Sequence, residues 1–232
     1  MLCRTCLRAT AMLSVSLGAR RTPLRRLLCL GAHSDDIEIG CGGTILTLLA
    51  QNPGLDIRWV VFSSGPQREQ EAYRSAATFL KRTRNKRIIV RDFRNAFFPF
   101  VGTEIKEFFE ELKADFTPDL VFTHYRDDRH QDHRVLSDLA WNTFRNHFIL
   151  EYEIPKYDGD LGSPNFFVPI AAAICQRKIK YLFDAFATQR DKQWFTRDTF
   201  LGLMRLRGIE SNAPSGYAEA FYSRKAVLSD GK

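Results

Sequence analysis

Short apolar runs alternate with longer stretches of helical periodicity along most of the chain. Residues 27–30 (LLCL), 57–62 (IRWVVF), 88–90 (IIV) and 120–123 (LVFT) are rich in branched or aromatic side chains, which predicts buried strands. Residues 43–51 predict a helix ended by Asn52-Pro53-Gly54. Residues 67–81 place Ala72, Ala76, Phe79 and Leu80 on one helical face. Residues 103–115 do the same with Ile105, Phe108, Phe109 and Leu112, and Thr103 is the expected N-cap. Residues 132–148 predict a further helix, and two more are expected at 176–187 and 192–207. Residues 151–170, rich in Gly, Pro and aromatics, predict a long ordered loop, and 218–228 have strand character. Strands alternating with helices imply a single α/β domain over residues 25–232. Its sheet should be mainly parallel, with helices on both faces.

Composition adds limits. In 232 residues, 44% are hydrophobic and 26% charged, enough for a sizeable core. That excludes a chain disordered throughout and a small disulfide scaffold. The net charge of +7 is concentrated at one end: residues 1–34 hold six arginines and no acid, which leaves +1 on the rest. No basic face of the kind nucleic acid requires is expected on the body, so no nucleic-acid partner is expected either. Residues 1–24 are read as a poorly ordered basic leader outside the fold. An upstream start, an organelle transit peptide and, more weakly, a secretory signal compete with that reading. The longest nearly apolar stretch, residues 166–175, is broken by Pro169 and falls short of the roughly 20 residues of a membrane span. The five cysteines, Cys3, Cys6, Cys29, Cys41 and Cys175, lack the spacing of a disulfide framework. They fit a reducing compartment, and the cytoplasm is the expected location.

In an open parallel sheet, ligands bind beyond the carboxyl ends of the strands. After the first predicted strand comes Gly31-Ala32-His33-Ser34-Asp35-Asp36, and after the fourth comes His124 through His133. If those two strands are neighbours, the groups converge. His33, Asp36 and His133 supply two imidazoles and a carboxylate, a set that suits zinc with an open fourth position. Iron(II) or another divalent ion would accept the same donors. Asp35, beside the ligand Asp36, is the candidate general base. His130 is placed to stabilise an oxyanion or protonate a leaving amine. Asp132 is expected to hold the His130 ring.

Alone, an HxDD turn is often an Asp cap followed by a solvated acid, and a lone HxxH is commonly a surface face. Their joint placement after two strands of one sheet favours the metal site. His124 reads as a buried histidine at a strand end. Gly40, Gly42 and Gly43 do not fit a dinucleotide-binding GxGxxG. They are expected to let the backbone pass close to the metal and to open the helix.

At these residues the chain resembles the PIG-L/LmbE family of zinc-dependent N-acetylglucosaminyl deacetylases. The family's AHPDDE motif corresponds to Ala32-His33-Ser34-Asp35-Asp36-Ile37, followed by Glu38, and its HPDH motif to His130-Gln131-Asp132-His133. Weaker similarity runs through Arg68-x-x-Glu71, Arg207-Gly208 and residues 217–221, so the resemblance spans roughly residues 26–222. Ser34 and Gln131 replace the usual prolines, and Ile37 replaces an acid. Some members carry a tyrosine two residues before the first histidine of the second motif, a position held here by Asp128.

The resemblance implies a Rossmann-like fold and hydrolysis of an N-acetyl amide on an amino sugar, with acetate and a free amine as products. It matches His33, Asp36 and His133 to the metal ligands, Asp35 to the base and His130 to the oxyanion-stabilising histidine. It also matches Arg68 to a substrate-binding arginine, and Asp92 or Asn95 to a partner of a sugar hydroxyl. The aromatic loop 151–170 and the C-terminal segment are expected to complete the substrate pocket. Glu219 is the expected further polar group there. A soluble glycan precursor or nucleotide sugar is the favoured N-acetylated substrate, and a homo-oligomer stays open. Hydrolysis of a non-sugar N-acyl conjugate and a non-catalytic sugar-binding relic are the alternatives.

Overall fold

The computed structural model describes residues 24–227. Except for Leu24, the expected leader lies outside the described residues. Seven strands form one sheet: β1 (Arg26–Gly31), β2 (Asp56–Val61), β3 (Lys86–Val90), β4 (Leu120–His124), β5 (Phe148–Tyr152), β6 (Phe166–Pro169) and β7 (Ala218–Tyr222). Their order is β3-β2-β1-β4-β5-β7-β6. The first five are parallel, and β7 runs antiparallel to both β5 and β6. The helices are α1 (Asp36–Gln51), α2 (Pro66–Phe79), α3 (Gly102–Asp115), α4 (Gln131–Thr143), α5 (Ala172–Ala185) and α6 (Arg197–Glu210).

Alternate strand residues supply two cores. Leu27, Cys29, Ile57, Trp59 and Phe122 pack against α1, α2, α5 and α6. Leu28, Leu30, Val60 and Val121, with Phe62 just past β2, pack against α3 and α4. This is the expected α/β sandwich, with a strand run buried on both faces reading as continuously apolar. The sheet reverses its order between β1 and β4, which pair directly through Leu27–Leu120, Leu28–Val121 and Cys29–Phe122. The crevice above that pair is the switch point of a doubly wound sheet.

Several boundaries differ from those expected. The helix predicted over 132–148 stops at Thr143, because residues 148–152 pair with β4 instead. The segment 151–170 is therefore not one loop: it holds the end of β5 and all of β6. Pro169 is tolerated because it closes the edge strand. Val101, rather than Thr103, occupies the N-cap of α3.

The largest difference is in α1, which begins at Asp36 rather than Gly43 and runs through three glycines. A Cβ on Gly40 would lie 2.2 Å from Tyr152 Cδ2, one on Gly42 2.7 Å from Phe79 Cε1, and one on Gly43 2.9 Å from Glu219 Oε1. The glycines thus let α1 sit close to β5, α2 and β7, rather than bringing backbone near a metal. Tight packing here overrides the poor helix propensity of glycine.

Gly40→Ala should therefore overpack the α1–β5 contact and lower unfolding free energy by about 3 kcal/mol. Gly202, in the middle of α6, has open space where a Cβ would go. Gly202→Ala should raise stability by about 0.5–1 kcal/mol. Denaturant titration of both variants checks the pair, and equal shifts of the same sign would contradict it.

Candidate metal centre

The turn after β1 and the loop after β4 meet at the switch point, as the β1–β4 pairing requires. His33 closes the β1 turn, and Asp36 opens α1. The His33 N–H donates to Asp36 Oδ2 at 2.6 Å, which ties the turn to the first turn of the helix. His130 is the N-cap of α4, and its Nδ1 accepts the Asp132 N–H at 3.3 Å. His133 is the third residue of α4 and is buried.

Three potential donor atoms converge. His33 Nδ1 is 3.1 Å from His133 Nε2 and 3.4 Å from Asp36 Oδ2, and His133 Nε2 is 3.6 Å from that same oxygen. Four donors about 2.1 Å from a tetrahedral ion stand roughly 3.4 Å apart, so the triangle has the right size. The tautomers agree with this. His33 Nε2 faces Asp132 Oδ2 at 3.3 Å, and His133 Nδ1 faces Asp128 Oδ2 at 2.9 Å. Each carboxylate accepts the ring proton on its side, so Nδ1 of His33 and Nε2 of His133 present lone pairs to one another and to Asp36. Buried lone pairs and a carboxylate held this close call for a positive charge among them, which a second proton on His33 or a metal ion supplies. The donor set fits a divalent ion.

Two further histidines border the triangle. His33, His130 and His133 form one group of donors within 4.8 Å of one another, and Asp36, His124 and His133 form another. His124 is fully buried at the end of β4 and stacks on His133, with ring centroids 3.8 Å apart. Its Nε2 accepts the Ala32 N–H at 3.0 Å and lies 3.2 Å from Asp36 Oδ2. The sequence marked it as a buried strand-end histidine. Its place beneath His133 follows from β4 lying next to β1.

The local charges divide sharply. Burial pushes the Asp36 carboxyl up, but His133, His124 and His33 together hold it well below the usual range. Burial lowers His133 to about 3. Burial also opposes charge on His33, but Asp36 and Asp132 raise it to about 9. Burial raises the Asp35 carboxyl, opposed by Arg68. Arg68 Nη2 donates to Asp35 Oδ1 at 2.6 Å, while Asp35 Oδ2 is buried without a hydrogen-bond partner. One oxygen of this candidate base is thus held, and the other is free for a proton.

The remaining sequence candidates are placed unevenly. Arg68 reaches the site through Asp35. Asp92 and Asn95 are exposed on the loop after β3. That loop reaches the centre through the Ala96 N–H, which donates to Asp132 Oδ2 at 2.6 Å. Asp132 holds His33, not the His130 ring as expected, because its side chain turns inward across the β1 turn. Its other oxygen accepts the Phe98 N–H at 3.2 Å.

Glu219 is engaged within the protein. It is buried on β7, accepts the N–H groups of Gly43 and Thr44 at 2.8 and 2.6 Å, and pairs with Lys178 at 2.6 Å. Its carboxylate fastens α1 and α5 to the sheet. Glu71, which the resemblance touched, likewise binds Thr188. Asp128 and Lys156, which face His133 in series, were not anticipated, since only tertiary contact brings them there.

A family model described as GlcNAc-PI de-N-acetylase (PIG-L) matches residues 28–144, just over half of the chain. The chain belongs to the PIG-L family. Solved structures of similar fold include a conserved protein from Thermus thermophilus, 22% identical, with a TM-score of 0.70 over 89% of this chain and 97% of that one. An N,N′-diacetylchitobiose deacetylase from Pyrococcus horikoshii is 20% identical, with a TM-score of 0.64 over 86% and 84%. A 4-carboxy-2-hydroxymuconate hydratase from Pseudomonas putida is 15% identical, with a TM-score of 0.65 over 89% and 99%. At these identities the likeness establishes the fold alone. No helix among the described residues is long and apolar enough to cross a membrane.

Glu219→Gln breaks a buried ion pair and should lower unfolding free energy by about 3–5 kcal/mol. A raised KM with unchanged stability would return Glu219 to the substrate.

Proposed function

We propose that this chain hydrolyses the N-acetyl amide of an amino-sugar substrate, with zinc as the favoured ion, releasing acetate and a free amine. The observation that carries this reading is a triangle of lone-pair donors, His33, Asp36 and His133, beside the unpartnered buried oxygen of Asp35. Membership of a de-N-acetylase family supports the bond type. A soluble glycan precursor or a nucleotide sugar is the favoured carrier, and iron(II) is the alternative ion.

A divalent ion bound there supplies Lewis acidity, polarising a carbonyl and lowering the pKa of water. The chain's own groups do the rest. Asp35 takes the proton of the attacking water on Oδ2, because Arg68 occupies its other oxygen. Its raised carboxyl pKa brings it closer to working pH, which favours general-base catalysis. His130 accepts the Asp132 N–H on Nδ1, so its neutral ring carries the proton on Nε2. That N–H donates to the oxyanion that develops on the acetamide oxygen. The proton collected by Asp35 is passed to the departing sugar nitrogen as the C–N bond breaks. Asp132 and Asp128 keep the rings of His33 and His133 in the required tautomers. Arg68, Asp92 and Asn95 are the candidate contacts to the sugar.

Asp35→Ala should bind zinc normally and lose about 10²–10⁴-fold in turnover. The assay is acetate release from a panel of N-acetylated sugars, nucleotide sugars and non-sugar N-acyl amines. Near wild-type turnover in the variant would sink the assignment of the base. Release confined to the non-sugar amines would sink the assignment of the substrate.

A further inference from the structure

Residues 153–165 leave β5 and run past the loop that precedes α4. Lys156 lies in this segment, and its side chain is 9% exposed. Its Nζ is 3.0 Å from Asp128 Oδ1 and also contacts Asp160 Oδ2, with Asp158 Oδ2 at 3.8 Å. Asp160 Oδ2 accepts the Arg129 N–H at 2.7 Å. Asp128 is buried, and both of its oxygens are engaged. Oδ1 accepts the His130 N–H at 2.8 Å, and Oδ2 faces His133 Nδ1 at 2.9 Å. Arg134 donates to the Asp128 carbonyl at 3.0 Å and closes the loop from the other side.

One carboxylate therefore fixes both the ring of His133 and the backbone of His130, and one lysine fixes that carboxylate. The second contact of Lys156 goes to Asp128, the group that turns His133 Nε2 toward Asp36. We propose that Lys156 is a positioning residue for the metal site, acting through Asp128 to hold His133 with Nε2 turned to the ion. The proposal rests on the metal-dependent reading above. Without the lysine, Asp128 loses the counter-charge that orients its carboxylate, and His133 gains rotational freedom. Outer hydrogen-bond partners of this kind are worth about 10–100-fold in metal affinity.

The test is the zinc affinity of the full chain, read by competition with a chromophoric chelator. Lys156→Met should weaken zinc binding about tenfold. Lys156→Arg, which keeps the charge, should recover most of that loss. Asp128→Asn should also weaken binding, and the double variant should bind no more weakly than Asp128→Asn alone, since the lysine acts only through the aspartate. Additive losses would assign Lys156 a general structural role and overturn the proposal. Wild-type affinity in Lys156→Met, with affinity lost in His133→Ala, would overturn it while leaving the metal centre standing. If His133→Ala also binds as wild type does, the metal reading fails and the proposal fails with it. Should Lys156→Met not fold, Asp160→Asn loosens the lysine without touching Asp128 and is read by the same outcomes.

Discussion

Everything at the candidate centre depends on the parallel pairing of β1 with β4. Residues 33 and 133 are distant along the chain, yet their ring nitrogens stand 3.1 Å apart because Leu27, Leu28 and Cys29 are in register with Leu120, Val121 and Phe122. A sheet that continued in chain order would put β4 beside β3 and leave each motif with half a ligand set. The reversal of order at β1 makes a crevice and fills it from both sides. The hydrogen-bond ladder that builds the core is the same one that sets the spacing of the donors.

The second constraint is the seat of α1. Asp35 and Asp36 can face the crevice only if the helix that follows them starts at once and lies flat on the sheet. Gly40 and Gly43 permit that approach to Tyr152 and Glu219, and Glu219 accepts the helix's own N–H groups. Lys178 neutralises Glu219 and donates to the Ile39 carbonyl at 2.6 Å. Tyr152 also donates to the Leu30 carbonyl at 2.6 Å, tying β5 to the end of β1. A buried ion pair is a weak source of net stability. Here its effect is positional, since it holds a glycine-rich helix that would otherwise have little reason to form.

How much of this was legible in the sequence depended on the range of the interaction. The first four strands and the crossover helices announced themselves through local periodicity. The two histidine motifs did so through their place after strands, but their convergence hung on whether the first and fourth strands are neighbours, which only the pairing of β1 with β4 decides. Phe148 to Tyr152 was hidden, because its apolar run continues the amphipathic pattern of α4 and only pairing with β4 makes it a strand. The glycines of α1 misled, because helix propensity is local and the packing that overrides it is not. Glu219 misled for a related reason. A lone acid near an expected pocket cannot be told from a buried anchor until Lys178 is seen beside it. Asp132 was tied to the wrong ring, since its distance from His130 along the helix is readable but the direction of its side chain is not.

The charges around the centre explain why the arrangement favours a cation and not merely a set of buried histidines. Asp35, Asp36, Asp128 and Asp132 all lie within or against the crevice, and all are buried. The basic side chains that answer them stand outside: Arg68 on the far oxygen of Asp35, and Lys156 on the far oxygen of Asp128. Neither reaches the triangle of donors. Burying a charge is costly unless it is paired. Besides the His33 N–H, Asp36 meets three ring nitrogens, and in the neutral rings the hydrogen-bond directions set by Asp132 and Asp128 give two of those lone pairs. The outer carboxylates thus turn the N–H of each neutral ring away from Asp36 and its lone pair toward it. A compact positive charge with room for a fourth ligand satisfies the site by replacing the second proton that Asp36 and Asp132 otherwise hold on His33, beside an aspartate that keeps one oxygen free.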